Sequence, residues 1–313
     1  MQKLFTLPVL GTACALAIVA TLLLDSRYHS RLEELFEPLV LMQESRVQTI
    51  YVGQKDGYTV LKSGGIFINY NVYNPEHPYR HYLEYTALLS LSAAYVEDPR
   101  EILVIGLAGG TVPRYLHRHY PQAAITCVDF DEAIPGVAER YFDFHQDDRM
   151  RVVVDDGRVF LQQNHTNYDL IILDAFDGAN VPFHLYTVEF LSLAKSRLRS
   201  GGFFAANTPG AEQVAARFRA TFRQVFGHVD SFQGEQSGNI ILVAPEDGSH
   251  LPQEELLAMM RLRQQEIGFE DLDMAELFSA TYLEKPGDDS NVPVFTDDFA
   301  PVNLLLPPPR PAL

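Results

Sequence analysis

The sequence is poor in cysteine and in positive charge. Its 313 residues include two cysteines, Cys14 and Cys127. Cys14 lies in an apolar N-terminal run and Cys127 in a stretch that reads as a buried strand. The two do not pair, and no metal-ligand spacing surrounds them. A disulfide framework and a cysteine zinc module are therefore excluded, and nothing points to an oxidising compartment. No phosphate loop of the G-x-x-x-x-G-K-[ST] type occurs, and there is no internal repeat or low-complexity tract. Lys and Arg total 24 against 41 Asp and Glu, a net charge of −17. Such a surface repels phosphate backbones, which argues against nucleic acid as a partner, and it attracts cations, polycationic small molecules included. Solubility alone is the competing account of the acidity.

The length accommodates one large α/β domain plus a small accessory unit. Residues 4–24, LFTLPVLGTACALAIVATLLL, carry no charge and match the roughly 20 residues that span a bilayer as a helix. An uncleaved membrane anchor is the preferred reading. A signal peptide is the alternative, because ACALA offers small residues, although they fall mid-run. Residues 26–45 read as a helical or irregular connector. The stretch RVQTIYVGQKDGYTVLKSGGIFINYNVYN alternates apolar and polar residues around Asp56-Gly57, a hairpin signal, and Gly64-Gly65 marks a second turn. Three short antiparallel strands ending near Asn69 follow from this pattern. YLEYTALLSLSAAYV then has helical character.

From Glu101 onward strands and helices alternate. Strands are expected at 102–106, 124–129, 151–154, 170–173, 203–206 and 239–246, and helices near 111–119, 132–141, 157–163, 187–199 and 211–224. Apolar runs of this length suit strands covered on both faces, hence a parallel, doubly wound sheet. Ligands of such sheets bind beyond the carboxyl ends of the strands. Gly106-Leu107-Ala108-Gly109-Gly110-Thr111 follows the first strand. Its glycines admit a ligand to the backbone, but the spacing is not that of a pyrophosphate-binding G-x-G-x-x-G loop. Asp129 ends the second strand, where a carboxylate can accept both hydroxyls of a ribose, and Asp131 is placed to cap the next helix. Asp155-Asp156-Gly157 follows the third strand, with an adenine edge and a helix N-cap as its two uses. Asp174 ends the fourth strand and Asp177 follows three residues on. Two close carboxylates can bind a cationic amine or take its proton, and their repulsion raises one pKa. Turn chemistry is the alternative for Asp177-Gly178. Together these positions suit an adenosine-bearing ligand without a pyrophosphate, S-adenosylmethionine or a relative of it.

Over roughly residues 44–207 the sequence resembles the spermidine synthase (polyamine aminopropyltransferase) family. GLAGGT matches its glycine loop (Gly106, Gly109, Gly110), Asp129 its ribose-binding acid and Asp156-Gly157 its adenine contact. Asp174 and Asp177 match its catalytic Asp-x-x-Asp pair. The loop from there to Leu185-Tyr186 is similar to its gatekeeping loop, and YRHYLEY resembles its Tyr-His-Glu region. Tyr186, His81, Tyr82 and Glu84 are thus further candidates for substrate contact, with an amphipathic helix as the competing account of the last three. TDDFAPVN near the C-terminus is similar to the tail of membrane-associated bacterial members.

The resemblance implies a Rossmann-like, doubly wound, mostly parallel sheet of the class I methyltransferase kind, at residues 76–313. Before it come a connector and small antiparallel β domain (26–75) and the anchor (1–25). It implies transfer of an aminopropyl group from decarboxylated S-adenosylmethionine to putrescine or a similar amine. It also implies no metal and no tightly bound cofactor, and homo-oligomers built through the β domain. One position departs from the family pattern. The glycine loop carries Gly109 where the family has an aspartate that holds the donor's amine. The loss of that counterion opens a second reading, methyl transfer from intact S-adenosylmethionine on the same scaffold, and a third, a nucleoside-binding module without catalysis. Because both donors are made in the cytosol, a single-pass inner-membrane protein with a cytoplasmic catalytic domain is expected.

Overall fold

The computed structural model describes residues 38–63, 69–176, 181–235, 238–269, 271–284, 289 and 291–300. Four strands open it: β1 (Leu39–Glu44), β2 (Thr49–Lys55), β3 (Tyr58–Ser63) and β4 (Asn69–Tyr73), antiparallel and in sequential order. The expected hairpin is present. Lys55 faces Tyr58, and Asp56 and Gly57 turn the chain at φ 51° and 82°, the left-handed pair that a two-residue turn requires. The strand β1 lies where a helical or irregular connector was expected. Its six residues gain their conformation by pairing with β2, which local pattern does not reveal. The turn expected at Gly64-Gly65 lies outside the described residues.

The remainder alternates. α1 (Glu84–Leu91) runs into a 3₁₀ turn (Ser92–Tyr95). Then come β5 (Glu101–Ile105), α2 (Thr111–His119), β6 (Ala124–Asp129), α3 (Ile134–Tyr141), β7 (Met150–Val154), α4 (Gly157–Gln163) and β8 (Tyr168–Leu173). α5 (Val188–Lys195), β9 (Leu198–Pro209), α6 (Glu212–Phe226), β10 (Asp230–Gln233), β11 (Asn239–Pro245), α7 (Gln253–Ile267) and α8 (Met274–Thr281) follow. The seven strands β5–β11 form one sheet in the order β10-β11-β9-β8-β5-β6-β7, with β11 antiparallel to both neighbours and the rest parallel. The short strand β10 went unpredicted; DSFQ has no alternation to read, and pairing with β11 defines it.

Both sheet faces are covered, as the apolar runs require. Along β5, Ile102 and Val104 join a core with Leu88, Tyr115, Val137, Met260 and Phe278. Leu103 and Ile105 point the other way, to Phe160, Phe190, Phe218 and Phe222. Buried polar bonds tie the four-stranded sheet to the larger unit. Asp131, 1% exposed, accepts from Ser45 Oγ at 2.7 Å and Gln48 Nε2 at 3.2 Å. Arg114 on α2 lies 5.0 Å over the Tyr73 ring of β4 and donates to the carbonyl of Pro78, just past that strand, at 2.6 Å.

The expected single-pass inner-membrane protein is corrected. Among the described residues no helix is long and apolar enough to cross a membrane. The stretch that prompted the expectation, residues 4–24, lies outside the described residues.

Candidate active site

The strands β6, β5 and β8 are neighbours, so their carboxyl ends bring the glycine loop, Asp129 and Asp174 together. The Gly106 amide donates to the Val128 carbonyl at 2.7 Å, and the Asp174 amide donates to the Ile105 carbonyl at 2.8 Å. Gly106 sits at φ 99°, and a β-carbon there would collide with the Asp174 carbonyl. Only glycine combines that backbone angle with that approach. Gly110 precedes α2 as its N-cap, and Gly157 opens α4 against Ile105.

Asp129 accepts from the Leu107 amide at 2.9 Å and the Asp131 amide at 3.0 Å. Burial pushes its carboxyl up to about 6 against these hydrogen bonds, and the neighbouring Asp131 charge adds to the rise. Asp131 does not cap α3 as expected. It accepts the Ala133 amide at 3.0 Å, while the helix start carries no side-chain cap. Its remaining oxygen faces the four-stranded sheet.

Asp174 accepts from Asn207 Nδ2 at 2.8 Å, and Asn207 Oδ1 accepts from Asn239 Nδ2 at 2.6 Å. Burial pushes the Asp174 carboxyl up to about 6, and the Asn207 bond pulls against it. Two tyrosines feel its charge. The hydroxyls of Tyr85 and Tyr186 are held well above their usual range, by burial first and by Asp174 second. Tyr186 is fully buried, and its hydroxyl donates to the Asn207 carbonyl at 2.7 Å, so it braces β9 beneath the acid. Asp177 lies outside the described residues.

Asp156 is the N-cap of α4, accepting from the amides of Arg158 at 2.9 Å and Val159 at 3.1 Å. Its other oxygen pairs with His184 Nε2 at 2.7 Å. Burial alone raises its carboxyl, but His184 and these amides overturn that and hold it below the usual carboxylate value. The C-terminal tail reaches the same place. Asp297 accepts both guanidinium nitrogens of Arg158, at 2.8 and 2.6 Å, and Thr187 Oγ1 at 2.7 Å.

The Tyr-His-Glu stretch separates. His81 packs on Tyr115 with centroids 4.5 Å apart and bonds Thr86, and burial, then His119, pushes its pKa down to about 3. Tyr82 packs edge-on against Tyr58 of β3 at 5.0 Å. The Glu84 carboxylate lies against Gly234 just past β10. Within this stretch it is the neighbour Tyr85, not singled out by the sequence, that feels Asp174. At Gly109 the space of a side chain is filled by the Asn71 amide from β4. Asn71 Oδ1 accepts from Thr111, while its buried Nδ2 has no partner among the described residues. Asn71, Tyr85, Asn207 and Asn239 come from strands and helices distant in sequence; only the Glu84-Tyr85 adjacency offered a local signal.

Residues 76–231 match the family model described as the spermine/spermidine synthase domain. A polyamine aminopropyltransferase of Vibrio vulnificus is 33% identical over 235 residues, which cover 72% of this chain and 76% of that protein. A bovine eEF1A lysine and N-terminal methyltransferase is 30% identical over 195 residues, 57% of this chain and 28% of that protein. In fold, the chain is similar to a probable spermidine synthase from Corynebacterium glutamicum, with TM-score 0.62 at 21% identity, over 74% of this chain and 95% of the other.

Proposed function

The chain belongs to the spermine/spermidine synthase family and is a transferase, and from that premise we propose that it moves an aminopropyl group from decarboxylated S-adenosylmethionine to a diamine such as putrescine. The observation that carries this reading is Asp174, anchored at the end of β8 by Asn207 and poised at about 6. A carboxyl with that pKa is mostly ionised at neutral pH, yet basic enough to receive a proton in the transition state.

Asp129 is placed to accept the ribose hydroxyls, and the Asp156-Gly157 turn to flank the adenine. The glycine loop lies between Asp129 and Asp174, so a sulfonium over it faces Asp174. Asp174 takes a proton from the diamine's ammonium, with Asp177 assisting. The freed nitrogen lone pair forms the new C–N bond in line as the C–S bond breaks. The bond electrons go to sulfur, which leaves as a neutral thioether, so no acid is needed on that side. Positioning supplies much of the acceleration.

Gly109 and Asn71 favour a second reading on the same scaffold. A neutral amide donor stands where a carboxylate would bind the amine of the decarboxylated donor. An amide tolerates the carboxylate of intact S-adenosylmethionine, as methyl transfer needs, and the bovine relative is named as a methyltransferase. Calorimetric titration of the purified protein with both donors, followed by a putrescine assay, separates the two. Preference for the decarboxylated donor with spermidine formed supports aminopropyl transfer. Preference for the intact donor and no spermidine overturns it.

A further inference from the structure

The edge of the sheet opposite Asp174 holds a second cluster. Asp230 opens β10, the edge strand three places from the β8 strand that carries Asp174, and faces Val243 of β11. We propose that His228, Asp230 and His250 form a binding site for a divalent transition ion of the zinc type. This proposal is independent of the reading of the active site.

Two observations carry it. First, the spacing is that of coordination. His228 Nε2 lies 3.0 Å from Asp230 Oδ1 and 3.1 Å from His250 Nδ1, and one atom from each residue falls within 4.8 Å of the others. Tetrahedral zinc with bonds of about 2.0–2.1 Å sets its ligand atoms about 3.3 Å apart. Second, the carboxylate is aimed. Asp230 is 6% exposed, and the hydroxyls of Tyr95 and Tyr282 donate to Oδ2 at 2.9 Å and Oδ1 at 3.1 Å. Outer hydrogen bonds of this kind orient metal ligands.

The three residues line a cavity of about 400 Å³ with Tyr282 and Glu284, which leaves room for a fourth ligand, water or a carboxylate. Two imidazoles and one carboxylate suit zinc, nickel or copper rather than magnesium or calcium. His250 is exposed and gives the ion a path from solvent. Bound there, the ion clips the start of β10 to the turn after β11. Sequence reading had no access to the site, because residue 250 stands far from the other two ligands along the chain and two turns bring it back.

The test uses the full chain, stripped with a chelator, then titrated with Zn²⁺ by calorimetry and with Co²⁺ by visible absorption. One ion per chain and the d–d bands of tetrahedral cobalt are expected. His250→Ala, at an exposed turn, and His228→Ala each weaken zinc by at least about 100-fold, and Tyr95→Phe by roughly 10-fold. Asp174→Asn leaves the affinity unchanged. The absence of saturable one-to-one binding, or an affinity unchanged from the native chain in either histidine variant, overturns the proposal.

Discussion

Asn207 offers a direct test of the Asp174 assignment. Asn207→Ala removes the Nδ2 donor 2.8 Å from the carboxylate and leaves the backbone carbonyl that Tyr186 binds. A hydrogen bond to a charged group contributes roughly 1.5–3 kcal/mol. At about 1.4 kcal/mol per pKa unit, its loss raises the Asp174 pKa by about 1–2 units. The ionised form is the base, so activity rises with pH through this pKa, and the variant's limb moves from about 6 to roughly 7–8. At pH 7 the ionised fraction falls from about nine-tenths to between about half and a tenth, while activity near pH 9 is largely regained. The assay follows kcat against pH with both substrates saturating. Asp129 is also pushed up to about 6 and would enter kcat/KM, whereas kcat reports groups of the bound complex. The diamine's own ionisation lies near 10, above the window. An unmoved limb, or an equal loss at every pH, would refute the argument.

Other substitutions probe the rest of the site. Asp174→Asn keeps the shape and removes the base, so kcat falls by about 10²–10⁴ while calorimetry still shows donor binding. The same variant is the more stable protein at high pH. The native pKa of about 6 exceeds the unfolded value, so ionisation opposes folding, with no penalty below about pH 4 and the full penalty above about pH 6. Thermal melts should show a gain of about 1–2 kcal/mol at pH 8, discounted for partial exposure, and none at pH 4. Asn71→Asp places a carboxylate beside Gly109. Competition between the two donors should shift toward the decarboxylated one by about 10–100-fold, and an unchanged ratio would remove Asn71 from the tail pocket. Asp297→Ala frees Arg158 beside the Asp156 cap, so the donor KM rises about 3–10-fold with kcat retained, while the exposed neighbour Asp298→Ala changes neither.

The parts of this site that were legible in the sequence share one property. Asp129, Asp174 and the glycine loop each follow an apolar strand within a few residues, and the strand order of a doubly wound sheet does the rest. Asn207 belongs to β9 and becomes the partner of Asp174 only because β9 lies beside β8. Asn239 is one strand further away. Nothing local marks either. Asp156 shows the opposite limit, since its position offered two roles. The structure gives it the N-cap and adds His184, which its sequence surroundings do not announce. Among the elements, β1 and β10 were missed for the same reason, as both are short strands defined by partners. The helices α7 and α8 follow the last predicted strand, in a segment without a clear local signal. TDDFAPVN had no mechanism in sequence terms and gains one from Asp297, which fixes the first turn of α4.

The motif Val128-Asp129-Phe130-Asp131 shows how the two sheets act on one site. Asp129 receives the amide of Leu107 and so sets the start of the glycine loop. Asp131, two residues on, receives Ser45 and Gln48 from the segment between β1 and β2. On the other flank of the loop, Thr111 bonds Asn71 of β4. The small antiparallel sheet is thus tied down on both sides of the glycine loop. The Asn71 amide fills the space that a side chain at 109 would need, so any acid introduced at 109 must first displace it. A charge for the donor's tail is therefore better supplied from position 71, across the sheet boundary, than from the loop itself. Gly109→Asp alone should disrupt packing before it restores a counterion, whereas Asn71→Asp changes the charge within the existing packing. On the proposed reading, substitutions at Ser45 or Gln48, which loosen the sheet from Asp131 beside the glycine loop, should weaken donor binding without touching Asp174.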